Sequence, residues 1–211
     1  MVNNDVCGAN DCAVTSPKTI IIRDSEFDAS RVPDSQIGWT CAFRGVGTLQ
    51  RNYIHGMGSG ICFTGTGVKH DAIAEQNYVT DMRSYGDSHN EPATIRDFTR
   101  SQNSSRVARF TQNRFHIAGG NVTAGLFLQT TWGDIDGVTV EGNLLEGGGY
   151  NLFVSQTSGR FSGLRAVNNR FRPTGWGPST VQGGTSWNEW RDNYLYAPSA
   201  TDAKGSAVNP G

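Results

Sequence analysis

Between Met82 and Asp97 the chain gathers one imidazole, three acids and two guanidiniums. Arg83, Asp87, His89 and Glu91 fall in "MRSYGDSHNEP", and Arg96 and Asp97 follow in "ATIRDF". These residue types could serve two chemistries. In an elimination, Arg96 or Arg83 would neutralise a substrate carboxylate while His89 or a tyrosine took the proton from the adjoining carbon. In a hydrolysis, two carboxyl groups drawn from Asp87, Glu91, Asp97 and Glu146 would act as acid and as base or nucleophile. Each residue also has a plain structural role available. Asp87 and Ser88 suit a turn, Glu91 before Pro92 suits a solvated loop, and Arg96 suits an ion pair with Asp97. The candidate catalytic set is therefore His89, Glu91, Arg96, Asp87 and Arg83.

What must position these side chains is written in a repeat. Asn recurs at 52, 77, 113, 143, 169 and 193, with Ser25 of "IIIRDSEFD" as first member, at intervals of 27, 25, 36, 30, 26 and 24 residues. Recurrence at this period signals a solenoid whose units stack on their neighbours. An apolar residue or alanine, or in one case tryptophan, stands three before each repeat position, and another apolar residue stands two after it. Alternation of period two on both sides of a polar residue reads as two short strands meeting at a bend. The Asn suits that corner because it tolerates the left-handed region and its amide can bond backbone or the Asn one coil away. A third strand precedes each pair, as in "CAFRG", "ICFTG", "ATIRDF", "GLFLQT", "NLFVSQT" and "VQGG". The expected fold is all-β: a single-stranded right-handed parallel β-helix of about seven coils, with three short strands per coil. An antiparallel sandwich would also show short alternating strands, but not the same Asn at the same place in each unit. The helix should span 19–198, between an N-terminal segment 1–18 and a C-terminal tail 199–211 that reads as a loose tail or as a link to something outside this chain.

In this register the residues one and three after each Asn face outward. Tyr53, His55, Tyr78 and His116 belong to that face, a mixture suited to stacking on sugars and bonding their hydroxyls. Tyr and Arg also decorate solvated sheets, where cross-strand ladders stabilise them. A second row, Arg44, Arg96, Gln129, Gln156 and Gln182, should run along the axis beside Trp132 and Trp176, which would suit an extended polymer. The candidate binding set is Tyr53, His55, Tyr78, His116, Gln129, Trp132, Gln156 and Trp176. The interval between Asn77 and Asn113 is swollen by the segments starting at Met82 and Thr99, and loops on a regular scaffold usually carry function.

Composition bounds the rest. The 27 Gly and 18% charged residues among 211 disfavour a helical protein. A net charge of −1 gives no reason to expect nucleic acid as partner. No apolar run reaches membrane-spanning length, and "MVNNDVCGAND" lacks the regions of a signal peptide. Cys7 and Cys12 enclose a short loop that a disulfide could clip, and pairing with Cys41 or Cys62 is equally open. No metal site is expected from the cysteines. Asp134 and Asp136 in "WGDID" supply only two of the oxygens that Ca²⁺ requires, so Ca²⁺ stays open and no other cofactor is expected.

The words "LQRNYIHG", "VTVEGNLLEGGGY" and "LRAVNNRF" resemble, over residues 19–198, the right-handed parallel β-helix repeats of the pectin-lyase-like superfamily, especially bacterial secreted members and phage tail or tailspike proteins. The resemblance implies a polysaccharide partner and an extracellular or virion-associated location. Its scaffold hosts lyases, glycoside hydrolases and non-catalytic glycan- or receptor-binding modules of the phage tail or adhesin type. The expected function is binding and cleavage of an extracellular or cell-surface polysaccharide, with binding alone as the alternative and a structural spacer as the third reading. The tail reading implies a homotrimer. The sequence departs from the enzymes of this kind in having no paired-Asp hydrolase word, and no Lys in the swollen segment of the sort many uronate lyases use; Lys69 is the nearest.

Overall fold

A computed structural model describes residues 12–16, 20–65, 69–118 and 123–211. Cys7, and with it the Cys7–Cys12 clip, lies outside them, as does most of the segment 1–18. The chain winds as a parallel β-solenoid of the right-handed type, with about six turns. Three sheets run its length. Sheet A starts at Cys12–Ser16 and ends at Gly177–Gln182; sheet B runs from Ile21–Arg23 to Glu189–Arg191; sheet C runs from Glu26–Asp28 to Tyr194–Tyr196. Every strand in these ranges pairs in parallel with its equivalent one coil away, as in Phe110 with Ala74 on one side and Val140 on the other.

The inward rows form one core. Leu49, Ala74, Phe110, Val140 and Ala166 of sheet B, and Phe27, Ile54, Val79, Phe115, Leu145 and Phe171 of sheet C, are all buried. Removing each large side chain from water is worth roughly 1.5–3 kcal/mol. The last coil is more open, with Trp190 and Leu195 only partly covered.

At the corner between sheets B and C the repeated Asn side chains form a continuous ladder. In each link Oδ1 accepts from both the backbone N–H and the side-chain Nδ2 of the Asn one coil earlier, at 2.9–3.0 Å for the Asn77–Asn113 and Asn113–Asn143 links. Nδ2 also donates to the carbonyl three residues before the preceding Asn, as Asn113 does to Ala74 O at 2.9 Å. Ser25 joins through its backbone N–H to Asn52 Oδ1 at 3.1 Å. The left-handed backbone expected of the Asn belongs instead to its predecessor: Asp24, Arg51, Gln76, Gln112, Gly142, Asn168 and Asp192 have φ between 52° and 66°. That frees the Asn itself to turn its amide into the corner, where it satisfies backbone groups the bend would orphan.

The C-terminal residues are ordered against the last coil, a correction to the expected loose tail. Lys204–Ala207 pairs antiparallel with Tyr194–Tyr196, Val208 O accepts from Trp190 Nε1 at 2.7 Å, and Pro210 O accepts from Ser179 Oγ at 2.9 Å. Cys41 and Cys62, on adjacent coils of sheet A, form a disulfide. Among the described residues no helix is long and apolar enough to cross a membrane.

Candidate functional site

Two side-chain rows run along the outer face of sheet C. Register sets Tyr53, Tyr78, Arg114, Leu144, Arg170 and Tyr194 in one row, and His55, Thr80, His116, Glu146 and Arg172 in the other. The first row is a stack: the Tyr53 ring lies 5.4 Å from that of Tyr78 and 4.2 Å from that of His55, and the Arg114 guanidinium sits 5.0 Å over Tyr78. His55 Nε2 is 3.0 Å from Glu26.

The second row leads into a cavity of about 920 Å³ at the turn from sheet C to sheet A. His116, Glu146 and Arg172 come from three successive coils, spaced at roughly 4.8 Å, and line its side, while His89 and Thr123 enter from the loops, Phe153 from sheet A and Trp176 from the turn after Arg172. Although it faces outward, Glu146 is only 2% exposed. Its carboxylate accepts from Arg114 Nε at 2.6 Å and Arg172 Nη1 at 3.4 Å, so two guanidiniums neutralise it. Among the described lining residues, the charged side chains beside the imidazoles are thus Glu146 and Arg172, and the carboxylate is held by guanidiniums on both of its oxygens.

Each imidazole is oriented through Nδ1. His116 Nδ1 lies 3.0 Å from Thr80 Oγ1, which in turn lies 3.4 Å from Asp81 Oδ1. With the hydroxyl donating to the carboxylate, Nδ1–H donates to the hydroxyl and Nε2 keeps its lone pair. His89 Nδ1 lies 3.3 Å from Thr123 Oγ1. Both arrangements leave Nε2 as the ring nitrogen available to a ligand.

The structure divides the expected catalytic set. His89 lines the cavity, and Asp87 is exposed in the turn before it. Arg83 is spent on architecture: it donates to the carbonyls of Ala29, Val32 and Gly56 and to Asp34, pinning its loop to the first coil. Glu91 is 1% exposed, with Oε2 3.7 Å from Arg96 Nη2 and, among the described residues, no hydrogen-bond partner for Oε1. Burial pushes this carboxyl up to about 7, against the pull of the Arg96 guanidinium. Arg96 itself bonds Gln129 and lies 5.2 Å over the Phe127 ring. The swollen interval also divides, because the segment starting at Thr99 forms the turn from sheet A to sheet B, apart from the cavity. There buried Arg106 bonds the carbonyls of Gly65, His70 and Thr99.

Of the expected binding residues, His116 and Trp176 reach the cavity, while Tyr53, Tyr78 and His55 form the stack further along sheet C. The row expected from Arg44 to Gln182 is broken by register. Arg44 pairs with Cys62, and Gln129 pairs with Ser155, which pairs with Gln182. Gln156 lies one residue beyond and bonds Gly183 O and Phe161 N–H. Trp132 lies past the other end of sheet A from Trp176, 6.0 Å from Arg44. Asp134 and Asp136 accept bonds from Arg160, Arg100 and Ser162, and among the described residues no three His, Cys, Asp or Glu groups gather to hold a metal. The candidate sets lacked Arg172, Phe153 and Gly147–Gly149. The signal for Arg172 was its outward position three residues after Asn169, and for the glycines it was "EGGGY", three glycines directly after an outward carboxylate, where backbone or aromatic groups approach closely.

No protein-family model, curated protein or solved structure matches this chain.

Proposed function

We propose that this protein binds an acidic polysaccharide in the cavity between sheets C and A and cleaves it by β-elimination. The observation that carries the reading is the convergence of His89, His116, Arg172 and Trp176 on one concave site. Arg172 neutralises the uronate carboxylate and makes the adjoining C–H more acidic. His116 Nε2, oriented by Thr80 and Asp81, takes that proton. The electron pair forms the ring double bond, the glycosidic C–O bond breaks, and His89 in its protonated form supplies the proton to the leaving oxygen.

Elimination is favoured over hydrolysis by the carboxyl count. Hydrolysis needs two such groups roughly 5–10 Å apart across the scissile bond. Glu146 is the only carboxylate among the described residues lining the cavity, and Arg114 and Arg172 hold it. The Cys41–Cys62 disulfide supports an oxidising, extracytoplasmic location. A binding-only reading draws support from the exposed Trp176 and the Tyr53–Tyr78 stack.

The test is incubation with a panel of acidic and neutral polysaccharides, following absorbance of unsaturated uronates and, in parallel, new reducing ends. Unsaturated product that disappears in His116→Gln and Arg172→Gln supports elimination. Reducing ends without unsaturation would move the chemistry to the carboxylates. Retained glycan binding with neither product would replace the enzyme by a binding module.

A further inference from the structure

We infer that Trp176 is the platform on which a pyranose ring of the bound glycan stacks, and that Gly149 sets the position of its indole; this deepens the glycan-binding reading above and rests on it. Trp176 is 72% exposed, more than any other large apolar side chain described, yet it is firmly held. Its backbone N–H donates to Gly149 O at 2.6 Å, and its ring meets Tyr150 edge-on with centroids 5.5 Å apart. A Cβ built on Gly149 would lie 2.7 Å from Cε3 and Cζ3 of the indole. The indole therefore rests directly on the glycine backbone, and its remaining surface is left to the cavity and solvent.

An aromatic ring of this size ordinarily contributes by burying its faces. Here tight packing fixes the ring while leaving much of it bare, in a cavity that also holds a guanidinium and two imidazoles. That combination matches a uronic acid ring: an apolar C–H face for the indole and an anionic edge for Arg172. Any side chain at position 149 would force the indole to recede by roughly 0.7 Å or more to regain ordinary contact, and would also press on Thr123 O at 2.9 Å. Gly149 is thus a positioning residue and Trp176 a ligand-contacting one.

The experiment titrates the full chain with oligosaccharides of galacturonate, of guluronate and mannuronate, and of glucuronate, reading affinity by calorimetry and indole emission together. Trp176→Ala should weaken binding about tenfold and Trp176→Phe about threefold, with unfolding midpoints unchanged. Gly149→Ala should weaken binding about fivefold and shift the emission of the free protein, because the indole has moved. If unsaturated product is made, the loss should appear in KM with kcat within about twofold, the pattern of a contact made equally in ground and transition states. Should Gly149→Ala fail to fold, the two Trp176 variants carry the test. Wild-type binding that survives Trp176→Ala within about twofold overturns the platform while leaving the glycan reading intact. A wild type that binds none of these oligosaccharides overturns both.

Discussion

Replacing Asn113 by alanine tests the energetic meaning of the ladder. In the native chain Asn113 Oδ1 accepts from Asn77 N and Nδ2, each at 2.9 Å, and its Nδ2 donates to Ala74 O at 2.9 Å and Asn143 Oδ1 at 3.0 Å. Truncation removes all four bonds at a corner where Asn77 and Asn143 are themselves 2% and 1% exposed, so water cannot replace them without opening the coil. Two stranded donors at roughly 1–3 kcal/mol each, with a smaller term for the acceptors, give a destabilisation of about 4 kcal/mol. The bonds link one coil to the next, so the loss falls on the interfaces that make the solenoid cooperative. Denaturant unfolding, read by tryptophan emission and by far-UV circular dichroism, should show an earlier midpoint for Asn113→Ala, and the two probes should separate if the coils on either side uncouple. The converse change is Ser25→Asn, which supplies the missing amide at the first corner and should stabilise by about 1 kcal/mol. An Asn113→Ala variant that loses less than about 1 kcal/mol, within the range of surface substitutions, would refute the reasoning.

Glu91 predicts a pH dependence of stability. Its carboxyl is raised in the folded chain from 4.5 to about 7, so the folded state holds the proton more tightly than the unfolded one. The corresponding stability is complete below the unfolded value and is lost as pH rises through the folded one, by about 3 kcal/mol in all. Unfolding curves between these values should show this slope in the wild type and a flatter one in Glu91→Gln. The Cys41–Cys62 bridge spans 21 residues, and the double serine variant should lose about 3 kcal/mol, measured against oxidised wild type in the same denaturant series. Gln112 occupies the left-handed corner position at φ 55°, so Gln112→Gly should be neutral or mildly stabilising in thermal melts, whereas Asn113→Gly one residue on should be costly.

The parts of the fold that repeat were readable, and the parts that occur once were not. The Asn corners were legible because one amide performs the same hydrogen-bonding task in every coil, and the inward rows were legible because strand alternation has period two. Which residue took the strained backbone was not, since Asp, Arg, Gln, Gly and Asn all stand before a ladder position and share no chemical type. For the site, outward alternation correctly set His116, Glu146 and Arg172 on one face. It could not show that Arg114 would bend onto Glu146, or that turns of unequal length would carry Gln156 out of its row. Arg83 and Glu91 looked like a reactive loop because sequence proximity groups charges; in three dimensions one ties down Asp34 and the other is sealed beside Arg96.

The antiparallel return of Lys204–Ala207 bears on polymerisation. A stack of parallel coils exposes at each end a rung of backbone donors and acceptors able to recruit another copy, the hazard that leads edge strands to fibres. At the C-terminal end of sheet C those groups on Tyr194 and Tyr196 are already paired, in the opposite direction and with a shift in register. An incoming parallel strand would have to displace this strap before it could add. Lys204 sets a cation 5.5 Å from the Tyr194 ring at the same edge, a charge that a growing stack would have to bury. Residues after the last coil therefore cap that end of sheet C, and their removal should promote end-to-end association, read by light scattering.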